Sequence, residues 1–234
     1  MTNNTETILA SLNTHGGRGA DGRPYDLDAA CRQVKADIIV LQEVWRPGGE
    51  PDPVTEIAAA LGAEPLWTDL MTGADLRSVG IANETARGRW GLATLTTVPV
   101  TGFEVVDLGR IAGDPIPRAA QLIGLDLPGR GPLRIVNTHL THWLLSPVQL
   151  LRLVRRLDAD DIPTVIAGDL NMPLPLTGLA AGYAPAVVGR SYPAHRPLLQ
   201  LDHILASRGV TRCGGEVLPP AGSDHRPVRA RLRR

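Results

Sequence analysis

"ADIIVLQEV", residues 36–44, is an apolar run that closes on a carboxylate. Ile38, Ile39 and Val40 are β-branched and packed too tightly together for a surface helix, so the segment reads as a buried strand. Side chains alternate along a strand, which predicts Ile39, Leu41 and Glu43 on one face and an acid in line with core residues. An unpaired charge buried there would cost several kcal/mol, so Glu43 requires a cation or strong hydrogen-bond donors.

The same pattern recurs along the chain. "ILASLNTHGG" carries Asn13, "RIVNTHL" ends at His139, "TVIAGDLN" ends at Asp169 and Asn171, and "LLQLDHILAS" holds Asp202. "GSDHRPV", residues 222–228, supplies Asp224 and His225 before a final strand that Pro227 can only open. Between these runs "YDLDAACRQVKA" has Leu27, Ala30, Cys31 and Val34 at helical spacing behind an Asp26 N-cap. "SPVQLLRLVRRLD" repeats the helical pattern, with Pro147 suited to a first turn. "GLATLTTVPVTGFEVVDL" and "AAQLIGLDLPGRGPLRIVNTHL" read as consecutive antiparallel strands. Strands alternating with helices, together with antiparallel stretches, predict an α/β sandwich of mixed sheets with helices outside. At 234 residues and 43% hydrophobic content, residues 1–234 are expected to form one domain, with two similar halves as one way of building it.

Charge narrows the partners. Lys plus Arg equals Asp plus Glu, 24 against 24, where a protein neutralising a long polyphosphate usually carries a basic excess. Nucleic acid is therefore a possible but not a favoured partner. Lys35 is the single lysine, so anion contacts fall to arginine, histidine or backbone N–H groups. Aromatics make up 3% of residues, and Trp45, Trp90 and Trp143 are expected in packing or pocket walls. Cys31 and Cys213 lie far apart without ligand spacing and are expected as buried free thiols. The polar start "MTNNTET" leads into a short apolar run, which predicts neither a signal peptide nor a membrane span and a cytoplasmic location.

The polar strand ends make an oxygen-rich set without thiolates: Glu43, Asp169, Asp202 and Asp224 with Asn13, Asn171, His139 and His225. Such ligands suit Mg²⁺ or Mn²⁺. Either Asp202 or Asp224 could fix the tautomer of His225 and leave its other ring nitrogen for a substrate. Gly168, between Ala167 and Asp169, is expected to let a ligand approach closely. A hard metal beside carboxylates, amides and imidazoles is equipment for attack by water on a phosphoester.

In order, "LNTHGG", "LQEV", "NTHL", "GDLN", "LDHI" and "SDHRPV" resemble the motifs of the endonuclease/exonuclease/phosphatase family and cover nearly the whole chain. "THGGRGADGRPYDL", "IPRAAQLIGLDLPG" and "SYPAHRPLLQLDHI" are similar to its small bacterial metal-dependent hydrolases. The resemblance implies a DNase I-like four-layer sandwich, two packed mixed β-sheets flanked by helices, with the site at one end. It implies Glu43 as the metal carboxylate, with Asn13 and Asp224 completing or steadying the metal and its waters. Asp169 would align or deprotonate the attacking water, and Asn171 would hold a phosphate oxygen. His225, oriented by Asp202, would meet the phosphoryl group, and His139 would be the general acid, with Glu84 as a candidate partner. The chain departs from the family pattern at Leu92, where asparagine is usual, and at Thr97, where arginine is usual.

Outside that set, Arg118 offers a planar fork for a substrate phosphate. His15 and His142 are candidate substrate-binding residues next to Asn13 and His139. His203 alternates with Asp202 and is expected to point into packing. The leading expectation is a Mg²⁺- or Mn²⁺-dependent phosphoester hydrolase that uses direct water attack on a small or lipid-like phosphoester. The alternatives are a nuclease or abasic-site endonuclease, which needs a local arginine stripe, and a non-catalytic binding module of the same fold.

Overall fold

The computed structural model describes residues 6–49, 52–78, 87–111, 113–142, 144–158 and 160–234, so Glu84 and Trp143 lie outside the described residues. In chain order come β1 (Thr7–Asn13), α1 (Leu27–Val34), β2 (Ile38–Arg46), α2 (Pro53–Leu61), β3 (Glu64–Thr72), α3 (Gly73–Ser78) and β4 (Arg89–Thr96). Then follow β5 (Val100–Gly109), β6 (Arg118–Leu127), β7 (Gly131–His139), α4 (Ser146–Leu157) and β8 (Thr164–Asp169). The chain closes with β9 (Tyr183–Pro185), β10 (Asp202–Ser207), β11 (Thr211–Val217) and β12 (Val228–Arg233).

The strands form two six-stranded sheets, ordered β11-β12-β1-β2-β4-β3 and β5-β6-β7-β8-β10-β9. Each has one parallel pair at its centre, β1 with β2 and β7 with β8. Parallel neighbours need a crossover, and α1 and α4 supply it. Both helices begin as their sequences require: the Asp26 carboxylate accepts from Ala29 N–H at 2.9 Å, and Pro147 occupies the first turn of α4.

Three apolar layers hold the sandwich. Leu9, Ile38, Val40, Ile135, Val165 and Ile204 fill the space between the sheets. Ala10, Leu12, Ile39 and Leu41 pack outward against Cys31 and Val34 of α1 and Val54 and Ile57 of α2. Val136 and Ile166 do the same against Leu150 and Leu153 of α4. This is the DNase I-like arrangement of mixed sheets and outer helices expected from the sequence. Two details differ. β4 and β5 do not pair, because Val98 and Pro99 carry the chain from one sheet to the other; the antiparallel run is β5-β6-β7. Cys31 is buried, but Cys213 is half-buried on β11. Among the described residues no helix is long and apolar enough to cross a membrane.

Toward one end the inter-sheet layer turns polar. Gln42 donates to Asn137 Oδ1 at 2.9 Å, and the Asn137 amide donates to Gln121 Oε1 and Ala93 O, each at 2.9 Å. Thr94 donates to the same Gln121 oxygen at 2.7 Å, and the Gln121 amide donates to Thr68 Oγ1 at 3.1 Å. Gln42, Thr94, Gln121 and Asn137 are fully buried, so every unmade bond here would carry a desolvation penalty. Asn137→Leu should therefore lower unfolding stability by about 3 kcal/mol, since it strands the Gln42 donor and two carbonyl acceptors. Urea unfolding measures this, and a loss below about 1 kcal/mol would contradict the network's role.

Candidate active site

The two parallel pairs end at the same edge of the sandwich, and their carboxyl ends build the site. Asn13 lies opposite Gln42 across β1 and β2, and His139 lies opposite Asp169 across β7 and β8. Antiparallel β10 brings Asp202 opposite Asp169 from the other side. Crevices beyond parallel-strand carboxyl ends are where α/β proteins place ligands.

Glu43 arrives by a route that alternation did not predict. Ile39 and Leu41 face the outer helices, so regular pleating would send Glu43 there too. A β-bulge between Leu41 and Val44 shifts the register with β4, and Glu43 takes a left-handed φ of 51°. The bulge is held by the Thr14 hydroxyl, which donates to Glu43 O at 2.8 Å and Gln42 O at 3.0 Å. The result turns Glu43 toward Asn13, whose amide donates to Glu43 Oε1 at 3.1 Å and to Asp169 Oδ2 at 3.0 Å. Asn13 Oδ1 accepts from His15 N–H at 3.0 Å.

Asp169 is 1% exposed and accepts from Asn171 N–H through Oδ1 at 2.9 Å. Burial pushes its carboxyl up to about 7, against the pull of the His225 charge and with the push of Asp202. Gly168 serves the sheet rather than a ligand: a Cβ there would lie 1.9 Å from the Thr138 carbonyl oxygen on β7. His225 donates from Nδ1 to Asp202 Oδ2 at 2.8 Å and turns Nε2 toward Asp169 Oδ2 at 3.8 Å. Burial alone would lower its basicity, but the charges of Asp202 and Asp169, the hydrogen bond to Asp202 and the charge of Asp224 carry it up to about 10. The other Asp202 oxygen is buried without a partner among the described residues. Of the two acids, then, Asp202 orients His225.

Asp224 accepts from Ser223 at 3.2 Å and sits 3.6 Å from His15 Nδ1. The Tyr25 hydroxyl is raised by burial first and then by neighbouring negative groups, among them Asp224 and Glu43, so both acids face one neighbourhood. Tyr25 also explains Gly222, where a Cβ would meet its ring at 2.3 Å. His15 is thus drawn to the rim beside Asp224, while His142 is exposed.

His139 is 2% exposed, and burial above all holds its basicity well below the usual histidine range, aided by the Arg118 charge. Asn171, at φ 51°, contacts His139 Nε2 at 3.0 Å and donates to Leu140 O at 2.9 Å through the same amide nitrogen. His139 Nε2 is therefore an acceptor and the ring is neutral with its proton on Nδ1. That atom has no hydrogen-bond partner among the described residues, and Glu43 Oε1 lies 3.8 Å away. Trp90 walls the ring, with centroids 6.2 Å apart.

Arg118 is 1% exposed. Its Nε and Nη2 donate to Asp114 Oδ2 at 3.0 and 2.8 Å, and Thr141 donates to the same oxygen. Its Nη1 is buried without a partner among the described residues. His203 points into packing, with Nε2 at 2.9 Å from Met172 O. Several residues with parts in this arrangement carried no separate expectation: Thr14, Asp114, Thr141 and Tyr192, whose ring packs 4.7 Å from His225. Asp114 stands four residues before Arg118 in "GDPIPR", a spacing that offered a partner; Tyr192 offered none.

Asp169 and Asp202 each bring a carboxylate oxygen within 4.8 Å of the other and of a His225 ring nitrogen. The Asn13 bridge adds Glu43 to the same locality. Three buried or half-buried carboxylates, with His225 as the nearby cation, form a hard-oxygen set that fits a divalent cation.

Known proteins share this plan. A protein from Beutenbergia cavernae DSM 12333, described as an endonuclease/exonuclease/phosphatase, superposes with a TM-score of 0.75 at 21% identity, over 98% of this chain and 72% of that one. The human Nocturnin catalytic domain, solved with bound sulfate, gives 0.73 at 15% identity over 97% and 94% of the two chains. A mannosyl-6-phosphatase from Bacteroides thetaiotaomicron VPI-5482 gives 0.68 at 15% over 97% and 99%. Among curated proteins, none matches the chain by sequence. The Endonuclease/Exonuclease/phosphatase family matches residues 10–225, the span that runs from β1 through every strand-end residue of the site to His225. With the two sheets, the parallel-strand crevice and the acid–imidazole cluster in place, the chain belongs to that family.

Proposed function

We propose that the protein is a Mg²⁺- or Mn²⁺-dependent phosphoester hydrolase that uses direct attack by water, on a small or lipid-like phosphoester. The observation that carries this reading is Asn13 joining Glu43 to Asp169 while Asp169 faces the Asp202-bound imidazole of His225. Glu43 is the residue assigned to hold the metal, with Asn13 and Asp224 steadying it; when bound, the metal supplies Lewis-acid stabilisation of the phosphoryl oxygens.

The chain's own groups divide the remaining work. Asp169 Oδ2 takes the proton of the attacking water, since a carboxyl raised toward neutrality is a stronger base than an exposed one. His225, cationic and fixed by Asp202, presents Nε2–H to an oxygen of the phosphoryl group as negative charge gathers there. His139 is neutral rather than the proton donor expected of a general acid. It gives the leaving oxygen a hydrogen bond from Nδ1–H while that oxygen departs with its negative charge and takes its proton from solvent, and Asn171 sets the direction of the ring. Arg118, held by Asp114, has Nη1 left over for a phosphate oxygen. Tyr192 and Trp90 give the crevice apolar flanks, in keeping with a small or lipid-like ester.

The test is a panel of aryl phosphomonoesters and phosphodiesters, DNA, RNA and phospholipid head-group substrates, with and without Mg²⁺ or Mn²⁺. Turnover of at least one is expected with metal, lost in EDTA and in Glu43→Ala. Equal rates in EDTA would remove the metal from the proposal. Failure on every phosphoester would leave a binding module, and preference for DNA or RNA would promote the nuclease alternative.

A further inference from the structure

Beyond the catalytic crevice, the ends of β2 and β4 form a second cleft of about 420 Å³, lined by Arg46, Arg87 and Arg89 with Asp52 and Thr55. Its charge arrangement is unusual for a sheet. Arg46 and Arg89 are direct cross-strand partners, and like charges in that relation repel. One carboxylate oxygen serves both: Asp69 Oδ2 lies 3.2 Å from Arg46 and 3.5 Å from Arg89. Asp52 reaches Arg46 only at 3.8 Å, and its other oxygen already accepts from Val54 N–H as the cap of α2. Arg87 takes part in none of these pairs. Among the described residues the cleft therefore holds more guanidinium than carboxylate.

Close backbone packing builds it. A Cβ on Gly48 would lie 2.0 Å from the Arg87 carbonyl oxygen, and a Cβ on Gly88 would lie 1.8 Å from the Trp45 ring. Only residues without side chains allow the Pro47–Gly49 turn to seat against the 87–88 segment, and that contact is what brings Arg87 to the other two. Arg46 is further fixed over the Trp67 ring, 4.7 Å from its centroid. The cleft adjoins the catalytic groups: Arg46 follows Glu43 by three residues, about 10 Å along a strand. Between them stand Trp45 and Trp90, which face each other across the strands, and Trp90 also walls His139.

We propose that this cleft binds a phosphate group, and that the group is a second phosphate carried by the substrate whose ester is cleaved in the crevice. The assignment to substrate rests on the hydrolase reading above; the assignment of the cleft to phosphate does not. Planar guanidinium forks suit phosphate oxygens, and a dianion relieves the Arg46–Arg89 repulsion that one shared carboxylate leaves.

Two measurements separate these parts. Calorimetry with inorganic phosphate in EDTA, which needs no turnover, should show affinity falling at least ~10-fold in Arg87→Ala/Arg89→Ala relative to wild type. Affinity unchanged in that variant but lost in His225→Ala would place the phosphate in the crevice and overturn the cleft. The second measurement is the ratio of kcat/KM for an aryl phosphodiester bearing an additional phosphate to kcat/KM for the same ester without it. A fall of at least ~10-fold in this ratio in the double variant supports the substrate's phosphate as occupant. A lost calorimetric signal with an unchanged ratio would overturn that assignment in favour of free phosphate. Circular dichroism confirms folding, and Arg87 and Arg89 are both exposed.

Discussion

Asp169→Asn should lower kcat on the best phosphoester substrate by about 10³-fold, the scale of a lost general base, with KM little changed. The same substitution should make the metal-free protein more stable. Asp169 is buried, and its carboxyl is raised above the value of an unfolded chain. A group whose folded value is raised contributes stability that is complete below the unfolded carboxylate range and disappears as pH climbs through the folded value, here about 7. Wild type in chelator should thus lose stability between about pH 4 and pH 7, and Asp169→Asn should flatten that slope and melt higher at pH 8. Asparagine keeps the size and the acceptor for Asn171 N–H but sets an amide donor against the Asn13 amide, so the pH slope of the difference, which that lost hydrogen bond does not change, reports the charge. A variant whose stability in chelator falls between about pH 4 and pH 7 as steeply as wild type's, or that retains more than a tenth of wild-type kcat, would remove Asp169 from the role of base.

His225→Ala should reduce kcat/KM by at least ~10²-fold, the usual loss when one electrostatic stabiliser of developing charge is removed. Here the change in stability is opposite to that for Asp169. Without the imidazole, Asp202 keeps a fully buried carboxylate with neither oxygen paired to a side chain among the described residues, a situation that destabilises proteins by about 3–5 kcal/mol. Replacing both residues tells the two losses apart. His225→Ala/Asp202→Asn should recover most of the stability, because the stranded charge is gone, and none of the activity. Recovery of activity in the double variant would mean that His225 acts only by neutralising Asp202.

Much of this arrangement was legible beforehand because it follows short-range rules. β-branched runs ending in Asn, Asp or His announced the strand ends, and the Asp26 cap and Pro147 announced the two crossover helices. What escaped depends on contacts between distant segments. Alternation puts Glu43 with the catalytic residues for a reason the backbone contradicts: pleating puts Leu41 under the helices, and only a bulge tied to Thr14, just past the end of β1, turns the acid around. Local pattern points Gly168 toward a ligand because the neighbouring Thr138 carbonyl is thirty residues away in the chain and invisible to it. The passage of the chain from β4 to β5 was likewise hidden, since two antiparallel strands and a crossing between sheets present similar turn residues. The buried Arg118 could have been suspected from Asp114, but its depth comes from Thr141 closing over their shared oxygen.

The polar seam between the sheets has a mechanical consequence. Asn13, Glu43 and the Asp224–His225 loop ride on one sheet, while His139, Asp169, Asn171 and Asp202 ride on the other. Their alignment is set by how two plates are pinned, and the interlocked amides of Gln42, Gln121 and Asn137 are the dowels. A slip of one plate by a single residue spacing would exceed the reach of the hydrogen bonds that join catalytic groups across the two sheets, Asn13 to Asp169 and His225 to Asp202. Inactivation should therefore coincide with the first breach of the pinned joint, while each half still keeps its strands.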